Sequence, residues 1–156
     1  MAAIIPLTTE NFFPTLRDSI LNAEHSIHIL LYQFNRYPGK SNSKVTLINH
    51  ALLKAHARRV QVAIILNASF QSPKGTLANE KTVEFFRSQG IPARIGPKNL
   101  RIHSKLFIFD KSRVILGSHN LSERALTKNM DISLFIENKA LAEQLFAIFQ
   151  TLWSTP

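Results

Sequence analysis

The chain contains 156 residues, of which 45% are hydrophobic and 19% are charged, a balance typical of one folded domain and not of a disordered segment. Lys and Arg total 19 against 10 Asp and Glu, so the formal net charge is +9. This charge favours an anionic partner such as nucleic acid, an anionic membrane surface or a phosphate-bearing substrate. The absence of cysteine excludes disulfides, thiolate metal sites and cysteine nucleophiles.

The first ten residues, MAAIIPLTTE, have no basic region, and Pro6 interrupts their apolar run. This pattern differs from a secretory signal, and no other apolar run is long enough to span a bilayer. We expect a cytoplasmic protein without stable membrane association; a periplasmic location stays open if a signal has been removed.

Helices and strands alternate along the first two thirds of the chain. Apolar residues recur at helical spacing in three segments, which predict helices over 9–23, 44–56 and 76–89. Short and nearly continuous apolar runs predict strands over 26–34, 60–66 and 91–95. Gly90 is expected to end the third helix.

The last third of the chain begins with a predicted hairpin, whose strands cover 102–109 and 113–116. A short helical stretch over 121–128, a strand over 131–137 and a closing amphipathic helix over 139–153 follow it. Asp110-Lys111-Ser112 forms the turn of this hairpin. The order of elements predicts an α/β fold in one domain over residues 1–156, with a mixed β-sheet flanked by helices on both faces.

Four polar residues are expected to meet at one end of this hairpin. His103 and Lys105 are two residues apart in a predicted strand, so their side chains point to the same face. Ser118 and Asn120 follow the return strand, and Gly117 leaves the backbone room to turn. Lysine binds phosphate as a point charge, serine and asparagine can donate hydrogen bonds to phosphate oxygens, and histidine can act as nucleophile or acid–base.

The spacing of these residues resembles a known signature. His103-Ser-Lys105-Leu-Phe-Ile-Phe-Asp110, followed after six residues by Gly117-Ser118-His119-Asn120, is similar to the active-site signature of the phospholipase D superfamily, with every fixed position filled. The resemblance extends over most of the chain, through 29–34, 60–66, 90–92 and 149–153. Among members, the chain is most similar to small bacterial endonucleases with one motif per polypeptide.

The resemblance implies a catalytic role for each of these residues. The family's active site uses two histidines, so a one-motif chain requires a homodimer with one composite site on its two-fold axis. His103 of one subunit would form a covalent phosphohistidine, and the second His103 would act as acid and then base. Lys105 and Asn120 would hold the non-bridging oxygens, and Ser118 would add a hydrogen bond.

Three further residues of the motif region carry expectations. Related nucleases place a glutamate where this chain has Asp131, so we expect Asp131 to orient the His103 ring, with a strand-end cap as the alternative. We expect Asp110 to be structural, because strand alternation does not bring it to the site. His119 occupies the variable position and is expected to be an exposed loop histidine, with a position lining the groove as the alternative.

No metal or other cofactor is expected. The chain has six histidines, and none has zinc-ligand spacing with a carboxylate. We expect His25, His28, His50 and His56 to be structural or surface residues.

The substrate is expected to be a phosphodiester in nucleic acid, DNA and possibly RNA. Basic residues flank the site, among them Lys98 and Arg101, which we assign to substrate binding, and a binding groove needs many weak phosphate contacts. No base-reading module is visible, so cleavage is expected to be weakly sequence-specific. The loop 36–43 is longer than in the smallest relatives, and we expect its Arg36 and Lys40, with Lys44 just beyond it, to widen the groove or to change substrate choice.

Two alternatives remain at this point. The first is a phospholipase D-type lipid or small-diester phosphodiesterase, for which Phe70 and Tyr37 would be tips touching a membrane. The second is a non-catalytic nucleic-acid-binding dimer, which would need Lys105 but not His103.

Overall fold

The computed structural model describes residues 3–68 and 73–156. Its strands, in chain order, are β1 (Ile4–Leu7), β2 (Ser26–Leu31), β3 (Gln61–Leu66), β4 (Ala93–Ile95), β5 (Lys105–Phe109), β6 (Arg113–Gly117) and β7 (Ser133–Glu137). Its helices are α1 (Phe12–Leu21), α2 (Lys44–Ala57), α3 (Pro73–Ser88), α4 (Glu123–Thr127) and α5 (Lys139–Ser154). None of these helices is both long and apolar enough to cross a lipid bilayer.

The strands form one mixed sheet in the order β1-β7-β6-β5-β2-β3-β4. Strands β2, β3 and β4 run parallel because helices α2 and α3 connect them, whereas the β5–β6 hairpin and β7 pair antiparallel. Strand β2 is the central element, paired with β3 on one side and β5 on the other, and all six of its residues are buried. The predicted mixed sheet is confirmed.

Helices cover both faces of the sheet, as the sequence predicts. On one face, α1, α2 and α3 bury the larger apolar core, which includes Leu16, Ile48 and Phe86. On the other face, α5 packs across β2, β5 and β6 through a smaller core that includes Phe149. Leu116 of β6 and Leu134 of β7 lie on this same face and stay exposed, at 38% each.

Three differences from the predicted elements concern the strands. Strand β1 was not expected; it is a four-residue edge strand that pairs antiparallel with β7, and its Pro6 is compatible with an edge position. Strand β2 ends at Leu31, and Phe34 forms only an isolated bridge with Leu121. Strand β5 begins at Lys105, so the predicted strand over 102–109 is three residues too long at its start.

The β5–β6 hairpin gives the sheet two chemically different ends. Its turn places Asp110 and Lys111 at φ values of 53° and 49°, the left-handed conformation of a tight hairpin turn. The Asp110 carboxylate accepts hydrogen bonds from the backbone N–H groups of Glu24, His25 and Ser26, at 2.7 Å for His25 and 3.0 Å for Ser26. Asp110 therefore fixes the hairpin to the start of β2, and His103 lies beyond the opposite end of β5.

Candidate active site

His103 and Lys105 lie side by side at the start of β5. The Lys105 Nζ atom is 3.3 Å from each ring nitrogen of His103 and donates a 2.7 Å hydrogen bond to the His103 backbone carbonyl. His103 is exposed and precedes the strand, whereas Lys105 is 6% exposed. The two side chains meet as expected, although the strand alternation used to predict this does not reach His103.

The local charges favour a neutral His103 ring. The positive charge of Lys105 lowers the pKa of His103, with smaller contributions from burial and from the positive charge of Arg101. Burial also lowers the pKa of Lys105, although the carboxylate of Asp131 acts in the opposite direction. A neutral imidazole has a free lone pair, which is the form needed for nucleophilic attack.

Tyr32 is a neighbour of this pair that the sequence pattern does not predict. Its ring is T-shaped to His103, with centroids 4.8 Å apart, and the Lys105 Nζ atom lies 5.1 Å from the Tyr32 ring centroid. Tyr32 follows β2, and Leu31 pairs with Lys105 across the β2–β5 ladder. Only this strand pairing brings Tyr32 to the site, and no spacing within the motif signals it.

Ser118 connects the end of β6 to the segment before β7. Its hydroxyl donates a 2.7 Å hydrogen bond to Asp131 Oδ1 and accepts one of 3.0 Å from the backbone N–H of Ile132. Gly117 makes this approach possible, since a Cβ atom there would overlap Ser133 and the Ile132 carbonyl oxygen. The need for glycine thus comes from the neighbouring strand and not from the turn.

Asp131 has a defined partner in the site. Among the described residues its carboxylate accepts from Ser118, and no hydrogen bond joins it to His103. Its charge nevertheless acts on Lys105 and raises that pKa against the larger effect of burial. The orientation of His103 by Asp131 stays a prediction.

His119 is buried, which corrects the expectation of an exposed loop histidine. It has no exposed surface, stacks on Phe12 with ring centroids 3.9 Å apart, and its Nδ1 atom lies 2.8 Å from Ser133 Oγ. Burial lowers its pKa, against a smaller opposite effect of Asp131, so the ring is held neutral. The neighbouring Asn120 is half-buried, and its Oδ1 atom has no hydrogen-bond partner among the described residues.

Two of the predicted substrate-binding residues lie outside the hydrogen-bonded cluster. Lys98 and Arg101 are both exposed in the segment between β4 and β5, and Arg101 is near enough to affect the pKa of His103. Within residues 3–68 and 73–156, no group of three His, Asp or Glu side chains is arranged to hold a metal ion.

The structure also bears on the two suggested membrane-touching tips. Tyr37 is half-buried, packs against the larger core, and its hydroxyl accepts a 3.1 Å hydrogen bond from the backbone N–H of Glu123. Tyr37 is therefore not a protruding tip. Phe70 lies outside the described residues.

Comparison with known proteins identifies the family. Residues 16–153 match the family model described as the phospholipase D-like domain of cardiolipin synthase. A phospholipase D of Rickettsia conorii is 32% identical over 128 residues, which are 82% of this chain and 57% of that protein. The virion nicking-joining enzyme of monkeypox virus is 28% identical over 94% of this chain and 34% of that protein. The chain thus spans 57% of the length of the first relative and 34% of the length of the second.

A solved structure agrees along nearly the full length. The phospholipase D family member Nuc from Salmonella typhimurium superposes with a TM-score of 0.80 and 25% identity, over 98% of this chain and 95% of that chain. The matched region of the family model contains the whole cluster around His103, Lys105 and Ser118. The chain belongs to the phospholipase D superfamily, whose members include phosphodiester hydrolases.

Proposed function

We propose that this chain hydrolyses phosphodiester bonds of nucleic acid, without a metal ion, through a covalent intermediate on His103. The observation that carries the proposal is the contact between a buried lysine and an exposed histidine, 3.3 Å apart, at the sheet end that also holds Ser118 and Asp131. A cation beside a neutral imidazole suits attack on an anionic phosphodiester, because it lowers the pKa of the nucleophile and attracts the substrate.

The proposed reaction has two steps that share one intermediate. A ring nitrogen of the neutral His103 attacks phosphorus, the bond from phosphorus to the leaving oxygen breaks, and that oxygen takes a proton from the protonated His103 of the partner subunit. A water molecule then attacks the phosphohistidine and gives a proton to the partner's His103, and the phosphorus–nitrogen bond breaks. The products are an alcohol and a phosphate monoester.

The other site residues would stabilise charge during both steps. Lys105, with its ammonium already held close to His103, would bind a non-bridging phosphate oxygen, and Asn120 would donate a hydrogen bond to another. Ser118 would hold Asp131 near Lys105, whose charge Asp131 supports. The two non-bridging oxygens gain most from these donors in the five-coordinate transition state, where their negative charge is greatest.

The second histidine would come from an identical subunit. On the sheet face that α5 covers in part, Leu116 and Leu134 stay exposed, and so does Ile132 just before β7, with exposed fractions of 38%, 38% and 53%. Leu116 and Leu134 are paired across β6 and β7, and Leu116 immediately precedes Gly117 and Ser118. An apolar patch next to the site is the kind of surface that a two-fold dimer buries, so it supports a composite site.

Nucleic acid is the preferred substrate on charge. The net charge of +9 suits a polyanion, and the exposed Lys98 and Arg101 flank the histidine in sequence. The name of the monkeypox relative, a nicking-joining enzyme, is in keeping with this choice. The name of the Rickettsia relative, phospholipase D, supports a lipid diester as the second candidate.

The test is turnover in excess EDTA of supercoiled plasmid, a single-stranded oligonucleotide and a phospholipid, by the wild type, His103→Ala and His25→Ala. His25 is an exposed histidine beside the hairpin turn, so its variant is the matched control. We expect the wild type and His25→Ala to cut nucleic acid and His103→Ala to be inactive. Turnover of lipid alone would favour the second candidate, and binding without turnover in all three proteins would indicate a non-catalytic dimer.

A further inference from the structure

A cavity on the helical face lies apart from the candidate active site. The loop 36–41 folds over α2 and α3 and encloses about 430 Å³, and none of His103, Lys105, Ser118 or Asn120 lines it. Its wall includes Arg36, Tyr37 and Lys40 from the loop, Asn49 from α2 and Phe85 from α3. The loop 36–43, which we expect at the substrate groove from the sequence, therefore lines a separate cavity.

Arg36 is a cation without a counter-charge in this cavity. Its guanidinium lies 3.6 Å from the centroid of the Phe85 ring, and it forms neither an ion pair nor a hydrogen bond with any described residue. Burial lowers the pKa of Arg36, and no neighbouring carboxylate opposes that effect. A half-buried guanidinium placed over an aromatic ring, with its N–H groups unpaired among the described residues, can bind an oxyanion.

The rest of the wall supplies more positive charge and no negative charge. Lys40 lies 5.8 Å from the centroid of the Tyr37 ring, and His50 also lines the space. No lining residue in the described part of the chain is Asp or Glu. Two cations suit a phosphate dianion better than a carboxylate, which carries one charge.

The cavity also has features that suit a planar polar ring. Tyr37, Leu53 and Phe85 give apolar and aromatic contact surface. Asn49 is only 5% exposed, and its Oδ1 atom lacks a hydrogen-bond donor among the described residues. A buried acceptor without a donor is costly, and a ligand N–H group would satisfy it.

We propose that the cavity between loop 36–41, α2 and α3 binds a nucleoside monophosphate group, with its phosphate on Arg36 and Lys40 and its base beside Tyr37 and Asn49. This group belongs either to a free nucleotide or to the phosphorylated end of a nucleic-acid strand. The proposal does not depend on which phosphodiester the His103 site hydrolyses.

The test is calorimetric titration of the full chain with AMP, inorganic phosphate and adenosine. We expect AMP to bind more tightly than either fragment, and Arg36→Gln to weaken AMP binding at least about tenfold because a charge-assisted contact is lost. Lys40→Gln, at an exposed position, should weaken it by a smaller factor. Arg17→Gln, the same change at an exposed arginine on α1, is the control and should bind AMP like the wild type.

Lys105→Gln separates this cavity from the candidate active site, which also attracts phosphate. We expect Lys105→Gln to keep the Arg36-dependent binding of AMP. The proposal is wrong if Lys105→Gln removes all AMP binding, if Arg36→Gln and Lys40→Gln both bind AMP like the wild type, or if adenosine binds as tightly as AMP.

A pair of oligonucleotides identifies the source of the group. An oligonucleotide with a 5′-phosphate and the same oligonucleotide with a 5′-hydroxyl are titrated into the wild type and Arg36→Gln. A preference for the 5′-phosphate that Arg36→Gln abolishes would assign the cavity to a strand end. Arg36-dependent binding of AMP, with no difference between the two oligonucleotides, would assign it to a free nucleotide.

Discussion

The Lys105 ammonium lies 3.3 Å from both ring nitrogens of His103 and lowers the pKa of that ring. Because a nearby cation disfavours the protonated imidazole, Lys105→Gln should raise the pKa of His103. Lys111→Gln, at the opposite end of the hairpin, should leave the pKa of His103 unchanged. It should instead raise the pKa of His28, which burial and Lys111 lower to about 4. Titration of the histidine ring protons by NMR measures both. If the pKa of His103 were the same in Lys105→Gln as in the wild type, this electrostatic coupling would be contradicted.

Asp131 should act on the reaction through its charge and its contact with Ser118. We expect Asp131→Asn to lower kcat by about tenfold or more with little change in KM, since the charge that supports Lys105 is lost. Asp131→Glu keeps the charge and should retain most of the activity. Steady-state kinetics of the two variants test this prediction. If Asp131→Asn had the same kcat as the wild type, Asp131 would have only a structural role.

Asp110 should contribute to stability and not to turnover. Its carboxylate accepts from three backbone N–H groups and forms a 2.8 Å ion pair with Arg113. Asp110→Asn should therefore cost about 1.5–3 kcal/mol of unfolding free energy at pH 7, while turnover by the folded variant stays unchanged. Urea unfolding and plasmid cleavage measure these two effects, and a loss of turnover without a loss of stability would contradict the structural role.

The pH dependence of stability provides a second test of Asp110. Burial raises the pKa of this carboxyl, but the backbone hydrogen bonds and Arg113 outweigh burial and lower it below the value of 3.8 for a free side chain. The folded state thus binds fewer protons than the unfolded state, so stability is present above the unfolded pKa and is lost as pH falls through the folded pKa. Asp110→Asn should show a weaker loss of stability from pH 4 downwards, in urea melts repeated at several pH values.

Gly117 should be intolerant of a side chain. A Cβ atom there would overlap Ser133 in β7 and Ile132 just before it. Gly117→Ala should therefore lower the free energy of unfolding by about 1–3 kcal/mol and displace Ser118. Gly90→Ala, with a φ of 79° at the end of α3, should cost a similar amount, about 1–2 kcal/mol. Only Gly117→Ala should reduce turnover, as measured on samples shown to be folded by circular dichroism. Full turnover in Gly117→Ala would argue against a strict position for Ser118.

The apolar patch beside the site should hold the dimer together. Leu134→Glu places a charge in this exposed apolar patch, and we expect it to yield a monomer without turnover. Leu47→Glu is the matched control, because Leu47 on α2 is 37% exposed and Leu134 is 38% exposed. Sedimentation velocity gives the assembly state of each variant. A dimeric and active Leu134→Glu would contradict the proposed interface.

The sequence predicted the elements and motif positions that depend on local pattern. The β5–β6 hairpin follows from its apolar strands around Asp110-Lys111-Ser112, and the closing helix follows from its apolar spacing. The meeting of His103 and Lys105 was also predicted, although His103 lies outside the strand.

The missed features depend on contacts between distant parts of the chain. Tyr32 reaches the site only because β2 pairs with β5, and His119 is buried because Phe12 stacks on it from α1. Strand β1 has four residues, one of them Pro6, and it pairs with β7, which lies far away in the sequence. Such long-range pairings have no signal in a local window of sequence.

Pro6 also limits how this sheet can associate with others. An outer strand normally offers free backbone N–H groups to a neighbouring chain, but β1 is short and lacks the N–H of its proline. The opposite outer strand, β4, has only three residues. Neither edge strand therefore favours pairing with a strand of another chain. A stable pair of subunits would form by packing sheet or helix faces together and not by extending the sheet from one subunit to the next.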